Sequence, residues 1–342
     1  MKLWGKEFSK DALLKKVGDI SQIGGVKLYE LKEGNQKGVD AIDFRTAAGF
    51  NFTVLPGRGM DISYAEYRGI PLCWRSSTGD VASAYFEPEE KNWLRSFFGG
   101  LLTTCGLTYA GAACVDQGKK LGLHGRISNI PAKNVYADGR WEKDDYIFWA
   151  QGKVRETTVF GENICLERKI LTKLGENKLF IEDKVENMGY SDTEHMILYH
   201  FNIGFPIVDA GSKLICPSVE LKPRDREAEQ DKENWSNFTS PVAGYKEKCY
   251  YHRMKPDKKG YVKASIENKK LKLGVYIKYI IDQLPYFTEW KMMGEGIYVV
   301  GMEPGNCLVK GRDKERKEGR LQFLKPGEIR KYRIEVGIEE IK

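Results

Sequence analysis

Short runs of β-favouring residues recur along this chain at intervals of roughly ten residues, and that recurrence limits its possible folds more than any other feature. Residues 53–62, 147–152, 163–172, 178–187, 193–203, 261–267, 270–279, 296–303 and 329–338 form the series. Turn residues separate them: Gly175-Glu176-Asn177 stands between two alternating segments, and Pro326-Gly327 precedes the last run. Two runs joined by a short Gly/Asn loop predict a hairpin over 165–174 and 178–187. The polar–apolar alternation of FIEDKVEN predicts antiparallel strands with one buried face and one wet face. Helix signals are few: residues 9–17 with Ser9 as N-cap, and 89–98 (EEKNWLRSFF). Strands do not alternate with helices at crossover lengths, which argues against a doubly wound α/β domain. The expected fold is all-β, a large antiparallel sandwich with few short helices.

A length of 342 residues suits two ordinary domains or one large one. No internal repeat and no Pro/Ser-rich linker divides the chain, so one domain over 1–342 is expected, with residues 1–45 an N-terminal extension packed on it. At 41% hydrophobic residues it can bury a substantial core, which excludes disorder for its bulk. The net charge of +7 is not gathered into a basic run; residues 310–320 (KGRDKERKEGR) mix both signs and read as a solvated turn between strands. Neither nucleic acid nor a membrane is therefore an expected partner. No run of about 18 apolar residues occurs, and the N-terminal MKLWGKEFSKDALLKK lacks the apolar centre of a signal peptide. The expected location is cytoplasmic. Seven cysteines are spread without a C-x-x-C pair, which reads as reduced, mostly buried thiols rather than disulfides or a structural zinc site.

Four histidines are the first candidates for chemistry. His124 lies in Leu-Gly-Leu-His-Gly-Arg, where glycine lets backbone approach a ligand and Arg126 adds donors for hydroxyls or a carboxylate. His200 and Asn202 interrupt the apolar run Met196-Ile197-Leu198-Tyr199-His200-Phe201-Asn202-Ile203. Strand alternation puts both on one side, opposite Tyr199 and Phe201, and polar groups so placed are costly unless paired or used. His195 falls near a turn and reads as exposed, and His252 in KCYYHRMKP has no acidic neighbour. Glu303 ends the apolar run Gly296–Met302 ahead of Pro304-Gly305-Asn306, and burial there would raise its pKa toward the range of a general base.

These segments together resemble the aldose 1-epimerase (galactose mutarotase-like) superfamily over about residues 50 to 340. The motifs that carry the resemblance are Phe98-Gly99-Gly100-Leu101-Leu102, His124-Gly125-Arg126, Tyr199-His200-Phe201-Asn202, Trp290-Lys291, Val300-Gly301-Met302-Glu303-Pro304 and Leu324-Lys325-Pro326-Gly327-Glu328, in that order. The resemblance implies a β-supersandwich and a sugar-ring-opening chemistry without metal or redox cofactor. It implies that Glu303 takes the anomeric proton, His200 protonates the ring oxygen, and His124 binds sugar hydroxyls and assists. The chain departs from ordinary members, which carry an arginine soon after the Gly-Gly segment, where Thr103-Thr104-Cys105-Gly106-Leu107 stands here. Arg58 in Leu55-Pro56-Gly57-Arg58-Gly59-Met60-Asp61 is a candidate replacement, held by Asp61, and Arg224 is a second. The family's hydroxyl-binding aspartate has no clear counterpart beyond Asp282.

The leading expectation is a carbohydrate epimerase, most simply an aldose mutarotase. Its partner would be a small sugar, or a sugar acid held by Arg58, Arg126 and Arg224, with Asn202 also binding substrate. Two alternatives stand beside it. One is an isomerase or epimerase acting at a C–H bond, with His124, His200 and Glu303 free to ligate a divalent metal. The other is a non-catalytic sugar-binding module, since fold does not imply activity. Trp74, Trp93, Tyr286 and Trp290 could stack on sugar faces in any of these readings. Edge strands of an antiparallel sandwich can pair two copies, which leaves a homodimer open.

Overall fold

A computed structural model describes residues 1–341. About half of the chain lies in antiparallel strands, and three larger sheets build the molecule. Eight strands form one, in the order Lys133–Glu142, Asp145–Thr157, Asn163–Lys173, Lys178–Asn187, Ile329–Glu340, Leu273–Ile280, Tyr261–Asn268 and Lys213–Ile215. A second runs Ser218–Pro223, Lys248–Met254, Tyr286–Gly294, Ile297–Gly305, Thr193–Gly204 and Gln322–Leu324, with Thr103–Leu107 also pairing with Thr193–Gly204. The third is a five-stranded meander from Gly25–Glu30 to Ile70–Pro71. No helix among the described residues is long and apolar enough to cross a membrane.

The strands form where side chains alternate. Lys178–Asn187 buries every second residue, Leu179, Ile181, Asp183, Val185 and Asn187, and pairs with Asn163–Lys173 as the predicted hairpin. The turn between them carries Gly175 at φ +86°, in the left-handed region. Facing layers then meet through aromatic contacts. Tyr279 of the eight-stranded sheet stacks on Phe287 of the seven-stranded one at 6.5 Å, and Phe44 of the meander stacks on Phe148 at 5.9 Å.

One charged side chain joins all three layers. Arg168, fully buried, donates to Asp183 within its own sheet at 2.7 Å, to Asp61 of the meander at 2.8 Å, and to Thr104 Oγ1 beside the His200 strand at 2.8 Å. Tyr199 OH completes the set by donating to Asp183 at 2.7 Å. Burial pushes the Asp61 carboxyl up to about 6, against the pull of Arg168 and of two hydrogen bonds from Thr104.

Several expectations need correction. Residues 53–62 are not one strand: Pro56, which lacks an N–H, opens a 3₁₀ turn, Pro56–Arg58, between Phe50–Leu55 and Asp61–Tyr67. Residues 310–320 contain a helix, Arg312–Lys317, whose Arg312 and Glu315 are buried, with Arg312 bonded to Asp116 at 2.7 Å. The 89–98 segment forms only the 3₁₀ stretch Asn92–Ser96, whereas Ser9 does cap Lys10–Leu14. His195 is fully buried, not exposed; its Nδ1 faces the Leu107 carbonyl at 3.2 Å and its Nε2 the Tyr332 hydroxyl at 2.7 Å. A carbonyl can only accept, so Nδ1 carries the proton and Nε2 accepts from Tyr332. The seven cysteines are free, and five of them are buried.

Two stability measurements follow. Arg168→Met leaves two buried carboxylates without their cation, and the unfolding free energy in urea should fall by about 3–5 kcal/mol; an unchanged midpoint would detach this network from the joining of the sheets. Burial holds the His195 imidazole down to about 3 from an ordinary 6.5. The unfolded chain takes up a proton below pH 6.5 that the folded chain refuses, so the contribution of neutral His195 is intact above pH 6.5 and declines as pH falls toward 3. Relative to His195→Gln, the wild type should lose about 1.4 kcal/mol per pH unit across that window. A pH-independent difference between the two proteins would refute the assignment.

Candidate functional site

Strand parity decides which side chains share the open face of the seven-stranded sheet. Thr288 stands opposite Glu303 and Trp290 opposite Gly301, while Phe201 opposite Met302 brings His200 alongside Glu303. His200 Nε2 lies 3.1 Å from Glu303 Oε1, with both residues buried. The alignment is not that of a hydrogen bond, and Glu303 Oε1 is left without a partner. Gly301 makes room for this contact. A Cβ there would sit 2.6 Å from Glu303 Oε1, 3.1 Å from His200 Cε1 and 3.0 Å from Trp290 Cβ.

Loops complete the site. Asn202 donates to the His200 carbonyl at 2.9 Å and to the Gly99 carbonyl at 3.2 Å, pinning the Gly99-Gly100 turn to the strand. That turn has φ of +73° and +74°, and a Cβ on Gly99 would strike Trp74 at 2.7 Å, which explains the glycines. His124 is itself left-handed at φ +58°, and its ring meets His200 edge-on with centroids 5.9 Å apart. Aromatic rings cover the trio. Trp93 lies 4.8 Å from His124, Phe97 5.5 Å and Trp290 5.4 Å from His200, and Trp74 packs on Phe97 and Trp290. At the rim, Trp290 Nε1 donates to Glu247 at 2.9 Å, and Glu247 also pairs with Arg224 at 2.9 Å.

Burial sets the electrostatics. It pushes the Glu303 carboxyl well above the usual range, with the Glu247 charge adding and Arg224 opposing. Burial, helped by His124, holds His200 well below its usual value, and His124 is held down to about 4. In the closed site all three groups favour their neutral forms. Seven polar atoms of these groups and their neighbours have neither solvent nor partner: Nδ1 of His124 and of His200, Glu303 Oε1, Asn202 Oδ1, Trp93 Nε1, Tyr251 OH and Thr288 Oγ1. Buried polar atoms are almost always bonded, so such a concentration is unspent hydrogen-bonding capacity. Among the described residues no three His, Cys, Asp or Glu side chains are placed to hold a metal ion.

Glu303, His200, His124 and Asn202 thus converge as the sequence suggests. Arg58 does not join them: each guanidinium nitrogen donates to a backbone carbonyl, of Ser128, Val81 or Ser96, and burial lowers the group to about 10. Asp61 is held by Thr104 and Arg168 rather than holding Arg58. Arg126 is exposed, and its charge bears on Glu156 and Tyr109. Arg224 reaches the rim but is committed to Asp225 at 2.8 Å and to Glu247 at 2.9 Å. His252 does have an acidic partner, Glu289 at 3.3 Å, but on the sheet's other face, beside Phe287. Sequence reading missed Glu247, a lone acid among lysines in YKEKC that nothing local marks as a rim residue.

Residues 36–338 match the sequence family described as Domain of unknown function (DUF4432). No curated protein sequence matches the chain. Among solved structures, it is similar to a provisionally named aldose 1-epimerase from Klebsiella pneumoniae subsp. pneumoniae MGH 78578, at 24% identity and TM-score 0.88, over 97% of this chain and 86% of that one. A galactose mutarotase-like protein from Clostridium acetobutylicum matches at 13% identity and TM-score 0.63, over 94% and 100%. A galactose 1-epimerase from Lactobacillus acidophilus NCFM matches at 13% identity and TM-score 0.60, over 93% and 99%. At these identities the likeness establishes the fold, which is galactose mutarotase-like.

The notch at Gly301 has a measurable sign. Alanine in an open strand position normally stabilises relative to glycine, but here the added methyl must displace Glu303 and His200. Gly301→Ala should lower stability by about 1–3 kcal/mol as overpacking does, and shift the His200 imidazole resonances in NMR. A stabilised variant with unmoved His200 signals would show that the notch is open.

Proposed function

The chain belongs to the DUF4432 family, and from its site we propose that it is a carbohydrate epimerase, an aldose 1-epimerase interconverting the anomers of an uncharged sugar. One observation carries the reading. A contacting Glu303–His200 pair under a cover of aromatic rings carries two desolvated, unpartnered polar atoms of its own and has five more on neighbouring side chains. A pyranose offers hydroxyls to those atoms and C–H faces to the rings. Arg58, Arg126 and Arg224 do not converge on the pair, which favours a neutral sugar over a sugar acid.

The chemistry follows from proton balance. Closed, the site holds its groups neutral. Sugar hydroxyls that hydrogen-bond to Glu303 favour its carboxylate and leave the proton with the adjoining imidazole. Glu303 then takes the proton of the anomeric hydroxyl while His200 protonates the ring oxygen, with His124 bonding a neighbouring hydroxyl. The C1–O5 bond breaks, the carbonyl rotates, and closure from the other face returns both protons. Concerted transfer avoids a free alkoxide, and each transfer is worth about 10²–10⁴-fold. The aromatic rings must part to admit the sugar and, once closed, keep water from the open-chain form.

Exchange NMR on a panel of neutral aldoses in D₂O tests this. The expected outcome is accelerated anomer exchange with no deuterium on carbon, reduced about 10²–10⁴-fold in Glu303→Gln and in His200→Asn. Wild-type rates in both variants, or deuterium at a C–H position, would overturn the proposal.

A further inference from the structure

Glu303 and His200 belong to a row of side chains that crosses the sheet at right angles to its strands. The register places Tyr251 opposite Thr288, Thr288 opposite Glu303, and His200 opposite Thr103, so the row reads Tyr251, Thr288, Glu303, His200, Thr103 on one face. Neighbouring strands lie about 4.8 Å apart, so Tyr251 stands about 10 Å from Glu303 at the backbone. Its far end is polar where apolar residues would be ordinary. Tyr251 is 7% and Thr288 1% exposed, and neither hydroxyl has a partner. The flanking hydroxyls differ: Thr103 Oγ1 donates to the Gly99 carbonyl at 2.7 Å, and Tyr250 OH, on the opposite face, donates to the Asp231 carbonyl at 3.2 Å. Two adjacent unsatisfied hydroxyls in line with Glu303 need an explanation that packing does not supply.

We propose that Tyr251 and Thr288 form a hydroxyl-reading subsite that selects the sugar by a carbinol group remote from its anomeric centre. The inference rests on the reading of Glu303 and His200 as a sugar site. Each hydroxyl donates one hydrogen bond and accepts others, which matches a carbinol that does the same. Burial pushes the Tyr251 hydroxyl above its usual range, so it stays a donor. Charged neighbours are committed elsewhere: Arg224 to Asp225 and Glu247, and Lys310, 5.7 Å from the Tyr251 ring, to Glu318 at 3.9 Å. A site built to bond a hydroxyl rejects the analogue lacking it by large factors, because its own polar groups are then stranded. With the anomeric carbon at Glu303, the row gives the sugar a direction, and the hydroxyl at its far end becomes the one that is read.

Tyr251→Phe and Thr288→Val remove the hydroxyls while keeping shape, and they separate this role from a structural one. Removing an unsatisfied buried group should leave the urea midpoint equal or raised, whereas a structural role predicts that it falls. The sugars are the D-aldohexoses and their 4-deoxy and 6-deoxy analogues, with binding read by saturation-transfer NMR and turnover by anomer exchange. The expected result is a wild type that prefers one hydroxylated sugar over a deoxy analogue, and variants in which kcat/KM for that sugar falls about tenfold, mainly through KM, with the preference lost. Variants that bind parent and deoxy sugars as the wild type does overturn the subsite and leave the epimerase reading standing. Wild-type binding without exchange overturns the epimerase reading while binding still reports on the subsite. Binding of none of the panel overturns both.

Discussion

The guanidinium of Arg168 is the point on which the three sheets depend. It is fully buried and satisfied by carboxylates from two layers and a hydroxyl from the third. A buried cation is tolerable only when its counter-charges are fixed within hydrogen-bond reach, so the sheets cannot slide without exposing an unpaired charge. The network also sets the site from behind. Tyr199, whose hydroxyl bonds Asp183 and whose ring lies 5.6 Å from the Arg168 guanidinium, is the residue before His200. Thr104, which bonds both Arg168 and Asp61, follows the Thr103 that faces His200. Because successive strand side chains point to opposite faces, anchoring Tyr199 and Thr104 in the core fixes where His200 and Thr103 stand on the other side.

The same sheet carries two buried His–Glu contacts, and they differ in their surroundings. His252 and Glu289 lie on the core-facing side, with Ser218 bonding His252 at 3.0 Å and Trp235 closing over its ring at 4.9 Å. His200 and Glu303 lie on the open side, where polar atoms without partners and four aromatic rings surround them. Proximity of acid and base is common to both pairs. Unspent hydrogen-bonding capacity in a desolvated space, beneath a cover of aromatic rings, belongs mainly to the second.

Much of the fold is legible locally. Alternation marks the hairpin around Gly175, and the His200-x-Asn202 spacing places those two side chains on a shared face through the period of two alone. Segments whose burial depends on distant partners mislead: residues 310–320 look like a solvated turn until Arg312 finds Asp116, nearly two hundred positions earlier. His195 reads as exposed until Leu107 and Tyr332 close on it. Arg58 and Asp61, three apart in one turn, invite pairing, yet Arg58 turns to backbone carbonyls and Asp61 to Arg168.

By itself, then, the sequence determined the strand-rich architecture and the facing of residues within each strand, His200 with Asn202 among them. Those properties have a period of two and are set by the nearest neighbours in the chain. Tertiary structure alone decided which charges pair, which histidines are neutralised by burial, that Glu247 stands at the rim, and that Tyr251 and Thr288 extend the row from Glu303. The reason is physical: hydrogen bonds, ion pairs and desolvation act between atoms a few ångströms apart, and in a sandwich of many strands such atoms come from residues tens to hundreds of positions apart.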